Sequence, residues 1–217
     1  LLNFINLNSR AVNLEWDSRL SEKLLFNPFS KSPTIQEHIA HYFLLVSSIT
    51  ESDLIGRAEN ARALMIHLNK VCIDTLYSES DAEVFRDILE TYPFYNELGP
   101  DRSSIPEVLV SVNEYISDIC NGNLFDYASQ FSSPQELVDD ISRKVERMNG
   151  IHIEKSWLYV LWCSRPYSDL GLFTHFSLED LKLPLTSYTS DVARCLGFCP
   201  YDGLDWRLDV VRREEVR

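Results

Sequence analysis

Helix start and stop signals are what most restrict how this chain can fold. Thr34-Ile35-Gln36-Glu37 has the form of a capping box, in which hydroxyl and carboxylate each satisfy a backbone N–H left unpaired by the first turn. Behind it Ile35, Ile39, Tyr42, Phe43, Val46 and Ile49 recur at helical spacing. Ser133-Pro134-Gln135-Glu136 combines a capping Ser, Pro at the first helical position and Glu at the third. Its helix is expected to run to about Met148 and stop at Asn149-Gly150. Further helices are predicted over about 57–74, 81–90, 104–120 with a stop at Asn121-Gly122, 124–131, 154–163, 177–181 and 187–196, and from 205 to the end. In the first of these Ala61, Leu64, Met65, Leu68, Val71 and Cys72 share the apolar face. No convincing strand interrupts the series. Capped helices in a chain with only 7 Gly specify an all-α globule. One domain over residues 1–217 is expected, two-lobed, with the loop from Gly99 to Ser104 as the boundary.

Charge narrows the partners. The net charge of −13 is concentrated in residues 51–150, which hold 19 acidic and 8 basic side chains, while the flanking segments are nearly balanced. A face with that excess repels nucleic acid and anionic membranes and suits a basic protein. DNA would have to meet the ends of the chain. Five cysteines form no disulfide-like pattern and read as reduced thiols of a cytoplasmic protein. Cys195 and Cys199 form a single close pair, too little for zinc. No uncharged apolar run is long enough to span a membrane. The first residues carry neither a basic lead nor an apolar stretch, so no signal peptide is read there. With Leu1 in place of Met, the chain reads as trimmed.

Glu37, His38 and His41 bring two imidazoles and a carboxylate to one helix, a possible start of a metal site. A metalloprotease helix needs ligands four apart with the Glu between them, so the plainer reading is a partly buried amphipathic helix with polar edge residues. His67 and His175 read as boundary residues beside apolar faces. The chain has no nucleophile elbow, Walker loop or dinucleotide fingerprint, and no metal or other cofactor is expected.

The most informative stretch is Asn149 to Phe198. Lys155 opens a helix that ends at Trp162 and Arg165, followed by Asp169-Leu170-Gly171-Leu172. After a spacer come Pro184-Leu185 and then Val192-Ala193-Arg194, with Leu196-Gly197 closing the run. In this order the residues resemble an uncharacterised family distantly related to the helix-hairpin-helix DNA glycosylases, over about 149–217.

That resemblance implies the glycosylase fold, DNA binding and a DNA-repair setting. It implies a phosphate grip at Gly150 and His152, where one hairpin glycine is kept and the second is replaced by a residue whose Cβ crowds a turn needing positive φ. Arg165 and Arg194 would add nucleic-acid contacts, and Trp157 and Trp162 would stack an extruded base. Alternatively the aromatic residues are core, and Arg165 pairs with Asp169. The catalytic positions would be Lys155, a candidate Schiff-base amine, and the segment of Thr186, Tyr188 and Asp191. Thr186 stands where the family carries its catalytic Asp and cannot supply a carboxylate, while Asp191 lies more than a helical turn further on. The plainer reading of Lys155 is a solvated side chain at a helix start. The sequence therefore points to a glycosylase-like protein with degraded or absent chemistry. The alternative is a non-enzymatic protein-interaction module on the same fold.

Overall fold

The computed structural model describes residues 33–50, 54–55, 58–165 and 170–182. Among these residues the chain is all-α, without a strand. Helix α1 covers Pro33–Ile49, α2 Ala58–Leu76, α3 Ala82–Glu90, α4 Ile105–Glu114, α5 Leu124–Ala128, α6 Pro134–Lys144 and α7 Ile153–Ser164. α1 packs against α2, α4, α5 and α7, while α3 lies on α4 and α6 lies on α7.

From Ile39 to Ile49 every residue of α1 except Val46 is buried. Gln36, Glu37 and His38 keep the polar, partly exposed edge expected of the helix, but contact with four other helices buries the rest of it, His41 included. Its polar side chains must then find partners inside. Ser47 and Ser48 donate back to the carbonyls of Leu44 and Leu45 at 3.0 and 2.8 Å.

The Glu37 carboxylate, predicted to close a capping box with Thr34, turns instead to another element. It accepts from the backbone N–H of Leu124 and, at 2.9 Å, of Phe125, and so caps α5 from a distant part of the chain. α2 is inward at Ala61, Leu64, Met65, Leu68, Cys72 and Leu76. Val71, predicted on that face, is 52% exposed because the inward row steps by four from Leu68 through Cys72 to Leu76. The backbone kinks at Cys72.

Local signals succeed elsewhere. Asp81 caps α3 by accepting from Glu83 N at 2.9 Å, and Ser133 caps α6 by accepting from Glu136 N at 3.3 Å. α4 passes into one π-helical turn over Tyr115–Ile119 and stops at the predicted Asn121-Gly122 pair, both at positive φ. Gly122 N returns to Ile116 O at 2.8 Å. α6, however, ends at Lys144 rather than near Met148. Tertiary partners replace the missing helical turn: Glu146 N donates to Ser111 Oγ at 3.1 Å, and Arg147 pairs with Asp101 at 3.1 Å.

A single apolar core runs from Ile39 to Phe176 and includes Leu98 and Ile105 on either side of the Gly99–Ser104 loop. That loop is a pair of tight turns, fastened by Gly99 N to Leu54 O at 2.9 Å. No helix among the described residues is long and apolar enough to cross a membrane.

Candidate functional site

The segment that carries the resemblance begins where α6, the turn of residues 145–152 and α7 form two packed helices joined by a hairpin. Gly150 adopts φ +53, a left-handed value that costs glycine little and other residues more. A Cβ there would meet nothing within 4 Å, so the apex of the hairpin faces open space. His152 closes a short 3₁₀ turn at φ −103, with its N–H on Asn149 O at 2.8 Å. The expected conflict at His152 is thus absent: positive φ falls on Arg147 and Gly150, and an ordinary side chain fits at 152.

Lys155 is 2% exposed, not solvated. Its ammonium donates to Ser48 O at 2.9 Å, in the last turn of α1. A helix end leaves four carbonyls without helical partners and carries partial negative charge, so a cation there satisfies both. Ser156 Oγ donates to Met148 O at 3.1 Å and ties the first turn of α7 to the hairpin. Trp157 is completely buried, with the Lys182 ammonium 5.4 Å from its ring centroid, and offers no face to an extruded base. Trp162 is partly buried, edge-on to Phe43 at 5.6 Å.

Arg165 is partly buried at the end of α7, its N–H on Leu161 O at 3.2 Å. Beyond it Gly171 adopts φ +57, and the turn delivers Leu172 N and Phe173 N to Cys163 O at 2.6 and 2.8 Å. The Leu170-Gly171-Leu172 motif thus folds the chain back onto α7. Asp169, Thr186, Tyr188, Asp191, Arg194, Cys195 and Cys199 lie outside the described residues, as do the helices predicted from 187 onward.

The candidate metal trio does not converge. Glu37 is committed to α5, and burial raises its carboxyl pKa even against two backbone donors. His41 Nε2 lies 2.9 Å from Asn113 Oδ1. The Asn113 amide nitrogen donates to Leu76 O and Glu79 O at 3.1 and 2.8 Å, which leaves its oxygen for His41 and makes Nε2 the protonated nitrogen. Burial lowers the His41 pKa to about 4, so the ring is neutral at physiological pH. Among the described residues no group of three His, Cys, Asp or Glu is placed to hold a metal ion.

One polar cluster escaped the sequence reading. Asp140, 6% exposed, accepts from the hydroxyls of Tyr115 and Tyr127 at 3.0 and 2.9 Å and from the Lys144 ammonium at 2.7 Å. Two signals pointed to it: Asp140 and Lys144 are four apart on α6, and Asp140 falls on the side that carries Leu137 and Ile141. Burial pushes the Tyr115 phenol well above its ordinary range, with Cys120 and Asp140 adding to the rise. Burial likewise takes the Cys120 thiol up to about 12, and raises the fully buried Tyr159 phenol well above its ordinary range. Burial favours the neutral form of each of these groups, unlike a nucleophile or base poised near pH 7.

No family model matches the chain, and no significant match is found among curated proteins or solved structures.

Proposed function

We propose that this chain is a DNA-glycosylase-like helical protein that has lost glycosylase and lyase chemistry and retains binding of DNA or a damaged base through the hairpin and the segment after it. The observation that carries the loss of chemistry is the burial of Lys155 with its ammonium on Ser48 O. A Schiff-base amine must reach a sugar carbon, and this one terminates a helix inside the core. The exposed Gly150 apex, open to a close backbone approach, supports the binding half.

The test is fluorescence anisotropy of DNA duplexes, intact and with an abasic-site analogue, at low and near-physiological salt, followed by borohydride treatment of a true abasic duplex. Preference for the abasic duplex that survives the higher salt, with no trapped adduct, is the expected result. A trapped adduct would overturn the loss of lyase chemistry. Absence of binding at both salts would remove DNA from the reading.

A second reading, a protein-interaction module on the same framework, is favoured by the engagement of the hairpin's own cations. Arg147 pairs with Asp101, Lys144 with Asp140, and Arg143 Nε donates to Asp139 O at 3.0 Å. The acidic excess of residues 51–150 then has a basic protein as its natural partner.

A further inference from the structure

Residues 79–118 hold ten carboxylates and two arginines. Both arginines are engaged: Arg86 bridges Glu83 and Glu107, and Arg102 lies with its guanidinium 5.3 Å from the Tyr95 ring centroid. Asp87, Glu90 and Glu97 are exposed and take part in no ion pair among the described residues. Within this acidic stretch the turn after α3 holds Phe94 51% exposed, its ring edge-on to Tyr92 at 5.8 Å. Tyr92 leans on His67 of α2 at 5.1 Å, and exposed Val71 stands one helical turn further along, with Lys70 bounding that side.

The turn is fastened on both sides of Phe94. Tyr95 N donates to Tyr92 O, Glu97 N to Phe94 O and Gly99 N to Leu54 O, all at 2.9 to 3.0 Å. Asn60 Nδ2 reaches both Ile55 O and Glu97 O, at 3.2 and 3.4 Å. Phe94 therefore cannot bury itself by a local rearrangement of the turn. An aromatic face held in a turn and flanked in sequence by the exposed carboxylates of Glu90 and Glu97 is complementary to a planar cation, and Arg102 over Tyr95 already shows that contact on the same turn.

We propose that the Tyr92–Glu97 turn is the docking site for an arginine-bearing segment of a basic protein partner, with guanidinium stacking on Phe94 and pairing with Glu90 and Glu97. This rests on the protein-interaction reading above and adds the place and the residue chemistry. Arginine is selected over lysine because its flat, weakly hydrated cation stacks on the ring while its N–H groups reach the carboxylates.

The experiment is a two-dimensional amide NMR titration of the 217-residue chain at low salt with an Arg-Gly repeat peptide and a Lys-Gly repeat peptide of equal length. The Arg peptide should shift the amides of residues 90–97 and bind tighter than the Lys peptide, by up to about threefold, the whole worth of an exposed cation–π contact. Phe94→Ala should erase that preference with helical circular dichroism unchanged, and Glu90→Gln with Glu97→Gln should weaken both peptides. Equal affinities, or a preference that survives Phe94→Ala, would overturn the site. Shifts mapped to another acidic face would overturn the site and leave the basic-partner reading standing. Binding of neither peptide would overturn both.

Discussion

The interior around α1 and the turn after α3 treat polar groups in opposite ways. Along α1, Glu37, His41 and the Ser48 carbonyl each meet a different element: the start of α5, Asn113 of α4 and Lys155 of α7. Each contact satisfies a group that would otherwise be buried without a partner, at a cost of about 1–3 kcal/mol. In the turn after α3, the Glu97 carboxylate is exposed without an ion-pair partner among the described residues, and half of the Phe94 surface faces solvent. A matched buried charge is evidence of architecture, even when its residue type suggests chemistry. An unmatched exposed one is satisfied by water and stays open to a partner outside the chain.

The largest expected effect falls on Trp157. Because the ring is completely buried, Trp157→Ala should cost about 4 kcal/mol in denaturant unfolding; a loss of under about 1 kcal/mol would mean the ring is a surface platform.

His41 should make stability depend on pH. Its folded pKa of about 4 lies below the ordinary 6.5, so as the pH falls the unfolded chain takes the proton first. The stability from the neutral ring is full above 6.5 and is lost between 6.5 and 4, by about 3 kcal/mol at 1.36 kcal/mol per unit. Glu37 acts in the opposite sense: its raised pKa contributes stability at low pH that is lost as the pH rises. The difference between wild type and His41→Gln isolates the first term. A difference that stays constant with pH, or an NMR titration of His41 near 6.5, would place the ring in water.

Lys155→Ala should cost roughly 2–3 kcal/mol, the range for a hydrogen bond made by a charged group, as the last turn of α1 loses a cap. Hydrogen exchange of amides in that turn is the sharper readout, and unchanged protection would separate Lys155 from α1. The smallest effect belongs to the other region: Phe94→Ala should alter stability by no more than about 0.5 kcal/mol. A thermal shift larger than that implies would show that the ring is structural, and the contrast between the two regions would fail.

Helix positions were largely legible because their signals are local. Ser133 and the Asn121-Gly122 pair each act within a few residues of themselves, so spacing alone locates them. The end of α6 was not legible, since Ser111 and Asp101, far away in sequence, supply the bonds that stop it. The candidate site was legible only as residue types. That Lys155 is buried, that Trp157 has no free face and that His152 sits at ordinary φ all depend on what surrounds them.

The sequence by itself determined the all-α character of the described residues, the cap at Ser133, the stop at Asn121-Gly122, and an acid excess confined to the middle of the chain, because propensity, capping and charge are properties of short segments. Tertiary structure alone decided the partners of the charged groups. Glu37 left its predicted box for α5, and Lys155 ended on α1, because a buried charge binds whichever backbone group the packing of helices brings within hydrogen-bond reach, and that neighbour lies far away in sequence.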